Sequence, residues 1–344
     1  MPVTISEIAR LAGVSHSTVS RVLNGAPIRV SPARREAILD IARRYNYVPN
    51  RSARALKTGR RGAIAVITYD ITDAFAVECV AALEKRLAQT PCHALWMSCA
   101  HADESKTDPL KLLYEVAQTV DGILIIYADS YLKDSDILQF WATSYLPLVT
   151  VIRSIPADLI SSVTIDDRLG ATLITEHLLE LGHKRIAFCY SKHPSPYVLA
   201  RHQVYQEVMQ EARLEVDGAL QIAVDGTVTD GYQAGRVLIN RPRRPSAIIG
   251  FNDLTAIGLM KACSDSGLRV PQDISIAGFD NIRMAELTNP ALTSVATNFT
   301  DLAQFALDEL FSQIESPRRP TPAHHFITSP KLIVRQSTAP LMTA

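Results

Sequence analysis

From residue 62 onward, short runs of β-branched and aliphatic residues alternate with longer amphipathic segments. The runs occupy residues 63–67, 122–126, 148–152, 185–189, 247–251 and 274–278. Apolar strands that alternate with helices are typical of parallel sheets covered on both faces. About 280 residues are generous for one such sheet. The sequence therefore predicts an α/β fold with two similar lobes and a cleft between them.

The first 61 residues differ from this body in charge. They contain twelve Lys or Arg residues but only three acidic ones, whereas the whole chain is neutral, with 35 residues of each sign. The excess of nine positive charges at the N-terminus is therefore balanced by an equal negative excess in the rest. A small basic module before an acidic body indicates a nucleic-acid contact surface at the N-terminus.

Residues 4–24 have the pattern of two short helices joined by a tight turn. Ala9 is small where two helices must cross closely, and Gly13 can adopt the positive φ that such a turn requires. Val19 follows six residues later as a core anchor. The spacing predicts a helix-turn-helix.

The second of these helices is expected to face DNA. Ser15 is its predicted N-cap, and Val19, Val22 and Leu23 are expected to point inward. Its outward side chains are those of His16, Ser17, Ser20 and Arg21. A polar face of short side chains with one arginine suits a recognition helix in the major groove.

A third helix and a basic segment complete the N-terminal region. Ser31 as N-cap and Pro32 at the first helical position predict a helix that ends near residue 46. Residues 47–61 hold a helix-capable stretch of about two turns, which is too short to be stable alone. By composition a plain basic linker is the favoured interpretation, and a segment that folds on DNA is the alternative.

Two strings, AGVSHSTVSRVLNG at 12–25 and YNYVPNRSARAL at 45–56, resemble the DNA-binding head and hinge of the lactose/galactose repressor (LacI/GalR) family. The resemblance implies that His16, Ser17 and Arg21 read bases. The residues implied to position phosphates are Thr4, Ser15, Thr18, Ser20, Asn24 and Ser31. In the hinge, Asn50 and Ala53 match backbone and minor-groove contacts, and Leu56 matches an apolar wedge. The resemblance favours a folding hinge helix over a plain linker.

The body carries the same resemblance. The strings IDDRLGA at 165–171, LGHKRIA at 181–187 and VPQDISIAGFDN at 270–281 are similar to that family's effector core. They imply a two-lobed core like that of periplasmic sugar-binding proteins, with chain crossings near Ser161, near Glu286 and within 316–322. The predicted domains are a head at 1–46, a hinge and linker at 47–61 and a core at 62–344. Lobe 1 is expected at about 62–161 and 290–322, and lobe 2 at about 162–289 and 323–344.

Polar residues directly after strands are the candidates for binding a ligand, because ligands of such folds lie beyond the carboxyl ends of the strands. The residues that fit are Asp70, Asp73, Arg153, Asp253 and Asp280. Arg201 joins them because its segment resembles the family's ligand-contacting one. Carboxylates that accept from hydroxyls, with an arginine that donates, suit a sugar or polyol, and Phe75 or Phe251 is expected to pack on its apolar face.

Two departures from the family pattern flank this cleft. Asp73-Ala74 stands where the family commonly has Asn-Pro, and Val204 stands where it commonly has glycine. A carboxylate cannot donate a hydrogen bond and repels anions. A neutral polyhydroxy ligand is therefore favoured, although Arg153 and Arg201 leave a sugar phosphate open.

Other functional classes find little support in the sequence. We find no dinucleotide fingerprint, P-loop, nucleophile elbow or HExxH motif, and the five cysteines form no CxxC pair. No signal peptide or membrane-spanning run is visible. We expect a cytoplasmic, ligand-responsive repressor, a homodimer on a pseudo-palindromic operator, without enzymatic activity, cofactor, metal site or membrane partner. The alternatives are a cytoplasmic sugar-binding receptor and a DNA-tethered enzyme.

Overall fold

The computed structural model describes residues 3–23, 27–47, 59–99, 108–126, 132–155, 159–192, 196–316 and 322–341. The chain divides into two compact units, Met1–Gly62 and Ala63–Ala344. Within the described ranges, no helix has both the length and the apolar character needed to cross a membrane.

The N-terminal unit contains three helices, α1 (Ile5–Ala12), α2 (His16–Leu23) and α3 (Pro32–Arg44). Gly13 ends α1 with a φ of 60°, as the tight turn requires. The shared core of the three helices consists of Ile8, Ala9, Val19, Val22, Ile38 and Ala42. The predicted helix-turn-helix is confirmed.

The first sheet of the body is fully parallel, with strand order β11-β5-β4-β3-β1-β2. Its strands are β1 (Ala63–Thr68), β2 (His93–Ser98), β3 (Gly122–Ile126), β4 (Leu148–Val151), β5 (Ser161–Ile165) and β11 (His325–Thr328). The helices of this lobe are α4 (Ala74–Leu87), α5 (Pro109–Ala117), α6 (Asp134–Ser144) and α12 (Phe299–Glu315). Helices α4 and α12 cover one face, and α5 and α6 cover the other.

The second sheet has the order β12-β10-β9-β8-β6-β7, and only β12 runs antiparallel to its neighbour. Its strands are β6 (Ile186–Ser191), β7 (Gln221–Val224), β8 (Ala247–Ile249), β9 (Ser275–Asp280), β10 (Thr293–Ala296) and β12 (Lys331–Ile333). Its helices are α7 (Asp167–Glu180), α8 (Pro196–Glu211), α9 (Val228–Ile239), α10 (Asp253–Asp265) and α11 (Arg283–Leu287). Helices α9 and α10 pack on one face, and α7 and α8 pack on the other.

Of the three expected crossing points between the lobes, the first lies within a few residues of the observed one, and the other two are wrong. The chain first passes between the sheets after β5, which begins at Ser161. It passes again after β10, rather than near Glu286, and between β11 and β12, rather than within 316–322. Strand pairing is the physical reason. Ser161 pairs with Val149 in the first sheet, as expected for lobe 1, and β5 continues in that sheet to Ile165. Residues 293–296 therefore belong to lobe 2, and residues 325–328 belong to lobe 1, the reverse of the expectation.

Helices α9 and α10 approach each other unusually closely, and glycines make this possible. A Cβ atom built on Gly258 would lie 2.1 Å from the carbonyl oxygen of Val228, and one on Gly231 would lie 2.2 Å from that of Thr255. Real side chains do not tolerate such distances to backbone atoms. The absence of a Cβ therefore allows the close position of α10, whose first residue, Asp253, accepts a hydrogen bond from the N–H of Ile282.

Candidate DNA-binding and ligand-binding sites

The outward face of α2 carries the residues expected to read bases. His16, Ser17 and Arg21 are exposed, and Thr18 and Ser20 are half-buried. Because α2 is anchored by buried residues on its opposite face, these side chains project from a fixed helix. This is the arrangement by which a recognition helix presents side chains to base edges.

Each of the three helices is preceded by a residue whose hydroxyl is expected to position a DNA phosphate. Thr4 accepts a hydrogen bond from the backbone N–H of Glu7 at 3.3 Å, which caps α1. Ser15 accepts from the N–H of Thr18 at 3.2 Å. Ser31 caps α3 in the same way. Free N–H groups and the helix dipole make such ends suitable for anions, and hence for DNA phosphates.

Four further residues expected at the DNA interface lie outside the described residues. They are Asn24, Asn50, Ala53 and Leu56. Their assignment to phosphate, minor-groove and wedge contacts remains a prediction.

Arg201 on α8 is the centre of a buried polar cluster in the second lobe. Its Nε donates to Oδ1 of Asp167 at 2.6 Å, and its Nη1 donates to the carbonyl oxygen of Phe251 at 3.0 Å. Its Nη2 lies 3.6 Å from Oδ1 of Asp280. The guanidinium carbon lies 3.6 Å from the ring centroid of Phe279. Ion pairing and stacking together hold Arg201 in one orientation.

Asp280 ends β9 in a backbone conformation that is rare for non-glycine residues. Its φ is 98°, and that of the following Asn281 is 54°. Ser294 Oγ accepts from the N–H of Asn281 at 3.0 Å, and Asp253 accepts from the N–H of Ile282 at 2.8 Å. Such strain persists only where the surroundings impose it, and it often marks functional sites.

Asp253 does not fit the expected role of a direct ligand contact. Its side chain is committed to Ile282 and Ser294, and the residue is only 1% exposed. A Cβ on Gly278 would lie 2.3 Å from its Oδ1, which shows how tightly the carboxylate packs against β9. Asp253 therefore positions the turn that carries Asp280, rather than facing the cleft.

The loop after β1 and the first turn of α4 supply three of the expected residues from the first lobe. Asp73 caps α4 by accepting from the N–H of Ala76 at 3.0 Å. The ring of Phe75 packs against that of Phe299, with 5.2 Å between centroids. Asp70 accepts from the N–H of Thr72 at 2.8 Å and so stabilises its own turn.

Arg153, which follows β4, contacts residues of its own lobe. Its guanidinium donates to the carbonyl oxygen of Leu132 at 2.7 Å and pairs with Asp134. The arginine expected to help hold a ligand is thus engaged within the first lobe.

An ion pair joins the two lobes beside these residues. Glu78 Oε1 on α4 accepts from the backbone N–H of Arg283 at 3.2 Å, and its Oε2 lies 3.3 Å from the Nε of Arg283. Arg283 begins α11, three residues after Asp280. The contact places the β1–α4 loop opposite the turn that carries Asp280.

Burial changes the protonation of the cluster. Loss of solvation raises the pKa of Asp280 well above its ordinary value, and Arg201 opposes this rise. Carboxylates of neighbouring residues, including Asp73 on the opposite lobe, raise it further. Burial also raises the pKa of Asp253 to about 7. Negative charge is therefore costly in this cleft.

The structure adds site residues that the sequence did not single out. Asp167 binds Arg201, Phe279 stacks on it, and the backbone N–H of Thr297 donates to the carbonyl oxygen of Asp280 at 3.2 Å. Asp167 follows β5 within two residues, so the rule of polar residues after strands would have found it. Nothing in the sequence pattern marks Phe279 or Thr297.

Comparisons with known proteins agree with this architecture. Residues 4–50 match the protein family described as "Bacterial regulatory proteins, lacI family". Residues 175–338 match the family described as "Periplasmic binding protein-like domain". The chain is 30% identical over 343 residues to the HTH-type transcriptional regulator DegA of Bacillus subtilis (strain 168), covering 100% of both chains.

Solved structures of transcriptional regulators are also similar to this chain over nearly its full length. The lac repressor dimer bound to operator and the anti-inducer ONPF is 28% identical with a TM-score of 0.82, covering 98% of this chain and 100% of that one. A CelR–cellobiose complex is 28% identical with a TM-score of 0.71, covering 97% and 99%.

A helix-turn-helix head before a two-lobed α/β body, matched over the full length, defines a DNA-binding transcriptional regulator. The chain belongs to the LacI family of bacterial regulatory proteins. The predicted family and fold class are thereby confirmed. The relatives named above are regulators rather than enzymes.

Proposed function

We propose that this protein is a repressor that binds a pseudo-palindromic operator as a homodimer and responds to a small carbohydrate-like effector held between its lobes. The observation that carries the proposal is the pairing of an exposed recognition helix with a buried Arg201–Asp280 cluster at the strand ends of the second sheet. The lac repressor is bound to operator as a dimer, and CelR is bound to cellobiose, in the structures to which this chain is similar.

The proposed roles follow the geometry of each site. His16, Ser17 and Arg21 read base edges, while the hydroxyls at the helix N-termini and the hinge residues position the backbone. Arg201 and Asp280 bind the effector from the second lobe, and the β1–α4 loop closes on it from the first. Arg201 acts chiefly by holding Asp167 and Asp280 in place, because its nitrogens already donate to protein acceptors.

Control of DNA binding is proposed to act through the closure of the lobes. An effector that binds both lobes favours the closed arrangement, and Glu78 and Arg283 meet across the same gap. The effector then shifts the population between states that differ in affinity for operator. We propose binding without turnover, in the cytoplasm where the operator is found.

Arg21→Ala tests the DNA-binding face directly. We expect it to weaken binding to the preferred duplex by about 1–3 kcal/mol, because a bidentate contact to a base edge is worth that much. The fold of the head is expected to persist, since Arg21 is exposed. Fluorescence anisotropy with labelled duplexes measures the change.

Arg43→Ala is the matched control, because Arg43 is an exposed arginine on α3 paired with Asp40. It removes the same charge from the same head and is expected to weaken preferred and scrambled duplexes about equally. An Arg21 variant that also loses affinity equally for both duplexes would show that α2 does not read sequence.

A further inference from the structure

The turn after β9 presents three consecutive backbone N–H groups, each bound by a different side chain. The first two are bound within the second lobe, at 3.0 Å and 2.8 Å, by Ser294 and Asp253. The third, that of Arg283, is bound at 3.2 Å by Oε1 of Glu78, which belongs to α4 in the first lobe. The turn that carries Asp280 is therefore held partly by its own lobe and partly by the opposite one.

This turn has a backbone conformation that its surroundings must impose. Asp280 has a φ of 98° and Asn281 a φ of 54°, both in a region that is rare for residues other than glycine. Such residues persist only where neighbouring contacts hold them. Loss of one of the three N–H contacts is therefore expected to change the arrangement of the turn, and with it the position of Asp280 in the cleft.

Glu78 is fixed to the first lobe by the packing of α4. Phe75, in the first turn of α4, packs against Phe299 of α12 with 5.2 Å between ring centroids. Arg86, near the end of α4, pairs with Asp308 of α12 at 2.8 Å. The side chain of Glu78 is only 15% exposed. Its carboxylate is therefore expected to move with the first lobe as a whole.

The contact of Glu78 differs from an ordinary surface ion pair. Within the described part of the chain, both of its carboxylate oxygens contact Arg283, one at the backbone N–H and the other at Nε, at 3.3 Å. The side chain of Arg283 is 77% exposed, so the guanidinium is expected to contribute little. The N–H contributes more, because its acceptor is charged and because Ile282 before it has no side-chain acceptor to replace Glu78.

We propose that Glu78 is a positioning residue that couples lobe closure to the ligand site. Its carboxylate holds the N–H of Arg283 only in the closed arrangement, and it thereby fixes the turn that carries Asp280. The inference rests on the proposed function, because it specifies how the same cleft is regulated. Closure prepares Asp280 for the effector and, by linkage, an effector bound to Asp280 favours closure without touching Glu78.

Two variants remove this contact from opposite sides. Arg283→Pro deletes the N–H at little cost to α11, because proline is favoured at the first helical position, and Ile282 already has the φ of −62° and ψ of 158° that suit a residue before proline. Glu78→Ala deletes the acceptor. Arg283→Ala is the matched control, because it removes the guanidinium but keeps the N–H. Glu84→Ala is the control on α4, because Glu84 is exposed.

Hydrogen exchange of the ligand-free, full-length protein measures how firmly the turn is held, by mass spectrometry of peptides that span residues 279–287. We expect the amides of Asn281 and Ile282 to exchange about tenfold faster in Glu78→Ala and Arg283→Pro than in the wild type. The two control variants are expected to differ from the wild type by less than about threefold. A merely structural role of Glu78 would raise exchange in α4 and leave the turn unchanged, and that result would overturn the inference.

The double variant Glu78→Ala/Arg283→Pro tests whether the two residues act through one contact. We expect the turn to exchange as fast as in either single variant, because the same hydrogen bond is already lost in each. Effects that multiply in the double variant, to about a hundredfold, would show that the two residues act separately. That outcome would overturn the link between the lobes.

The affinity for the preferred duplex separates this inference from the proposed function. We expect Glu78→Ala and Arg283→Pro to change the ligand-free affinity in the same direction, by about threefold or more, because both shift the balance toward open lobes. Faster exchange without a change in affinity supports the role of Glu78 at the turn and contradicts control of DNA binding by lobe closure. Unchanged exchange in both variants overturns the inference and leaves the proposed regulator intact.

Discussion

The variant Arg201→Ala is expected to lose about 3–5 kcal/mol of the free energy of unfolding at pH 8, because it breaks a buried ion pair by removing one partner. Asp167 and Asp280 would remain, with side chains only 5% and 9% exposed and without their shared cation. The stacking of the guanidinium on Phe279 is lost as well. We expect the response to effector to disappear together with this stability.

The loss of unfolding free energy in Arg201→Ala is expected to be larger at high pH than at low pH. Burial already raises the pKa of Asp167 and Asp280, and Arg201 holds both values down. Without Arg201 both pKa values rise further, so the folded state takes up protons as the pH falls. Stability is then regained below the folded-state pKa values and lost as the pH rises through them. The deficit is therefore expected to be smaller at pH 5 than at pH 8.

Urea unfolding of the full-length protein, followed by circular dichroism at both pH values, measures this deficit. Arg168→Ala is the control, because Arg168 forms an exposed ion pair with Glu207, with side chains 58% and 49% exposed. Such surface pairs contribute about 0–1 kcal/mol. Similar losses in the two variants, or a deficit for Arg201→Ala that does not change with pH, would contradict the buried cluster.

Gly258→Ala is the second change with a large expected effect. The added Cβ would lie 2.1 Å from the carbonyl oxygen of Val228 and 2.6 Å from the nitrogen of Tyr232. Both are backbone atoms, so no side-chain rotation relieves the contact and α9 must move away from α10. We expect a loss of about 3 kcal/mol or more in the free energy of unfolding, although alanine favours helices by about 1 kcal/mol over glycine.

Gly218→Ala is the matched control for this variant. A Cβ on Gly218 would meet no atom within 4 Å, and its φ is not positive. Its effect is expected to stay within about 0.5 kcal/mol. The same urea titration compares the two. A Gly258 variant as stable as the wild type would show that α9 and α10 do not pack as closely as described.

The fold could be predicted from the sequence largely because its central strands are buried on both faces. β3 is apolar at each of its five positions and fully buried, so it stands out as a continuous run. β2 lies at an edge and alternates between exposed and half-buried residues, and it was not among the predicted runs. The second and third crossings were misplaced because β10 and β11 have only four residues each and gain their order from pairing within the sheets.

Part of the candidate ligand site could be predicted, because the carboxyl ends of parallel strands lie at the same edge of a sheet. That rule and the family resemblance indicated Asp73, Arg201 and Asp280. In the structure Arg201 lies 3.6 Å from Asp280, and the carboxylate of Asp73 contributes to the raised pKa of Asp280. The same rule also selected Asp253, whose carboxylate is committed to Ile282. Thr297 could not be found, because its contact with Asp280 is a backbone hydrogen bond that depends on the three-dimensional arrangement.

The most direct test of the central claim is selection from a random pool of DNA duplexes with the full-length protein. We expect enrichment of a two-fold-related motif, with half-sites about 10 bp apart and a deformable central step. We also expect Arg21→Ala to abolish this enrichment. Failure to enrich any motif, both without ligand and with candidate sugars present, would contradict a regulator that reads operator DNA.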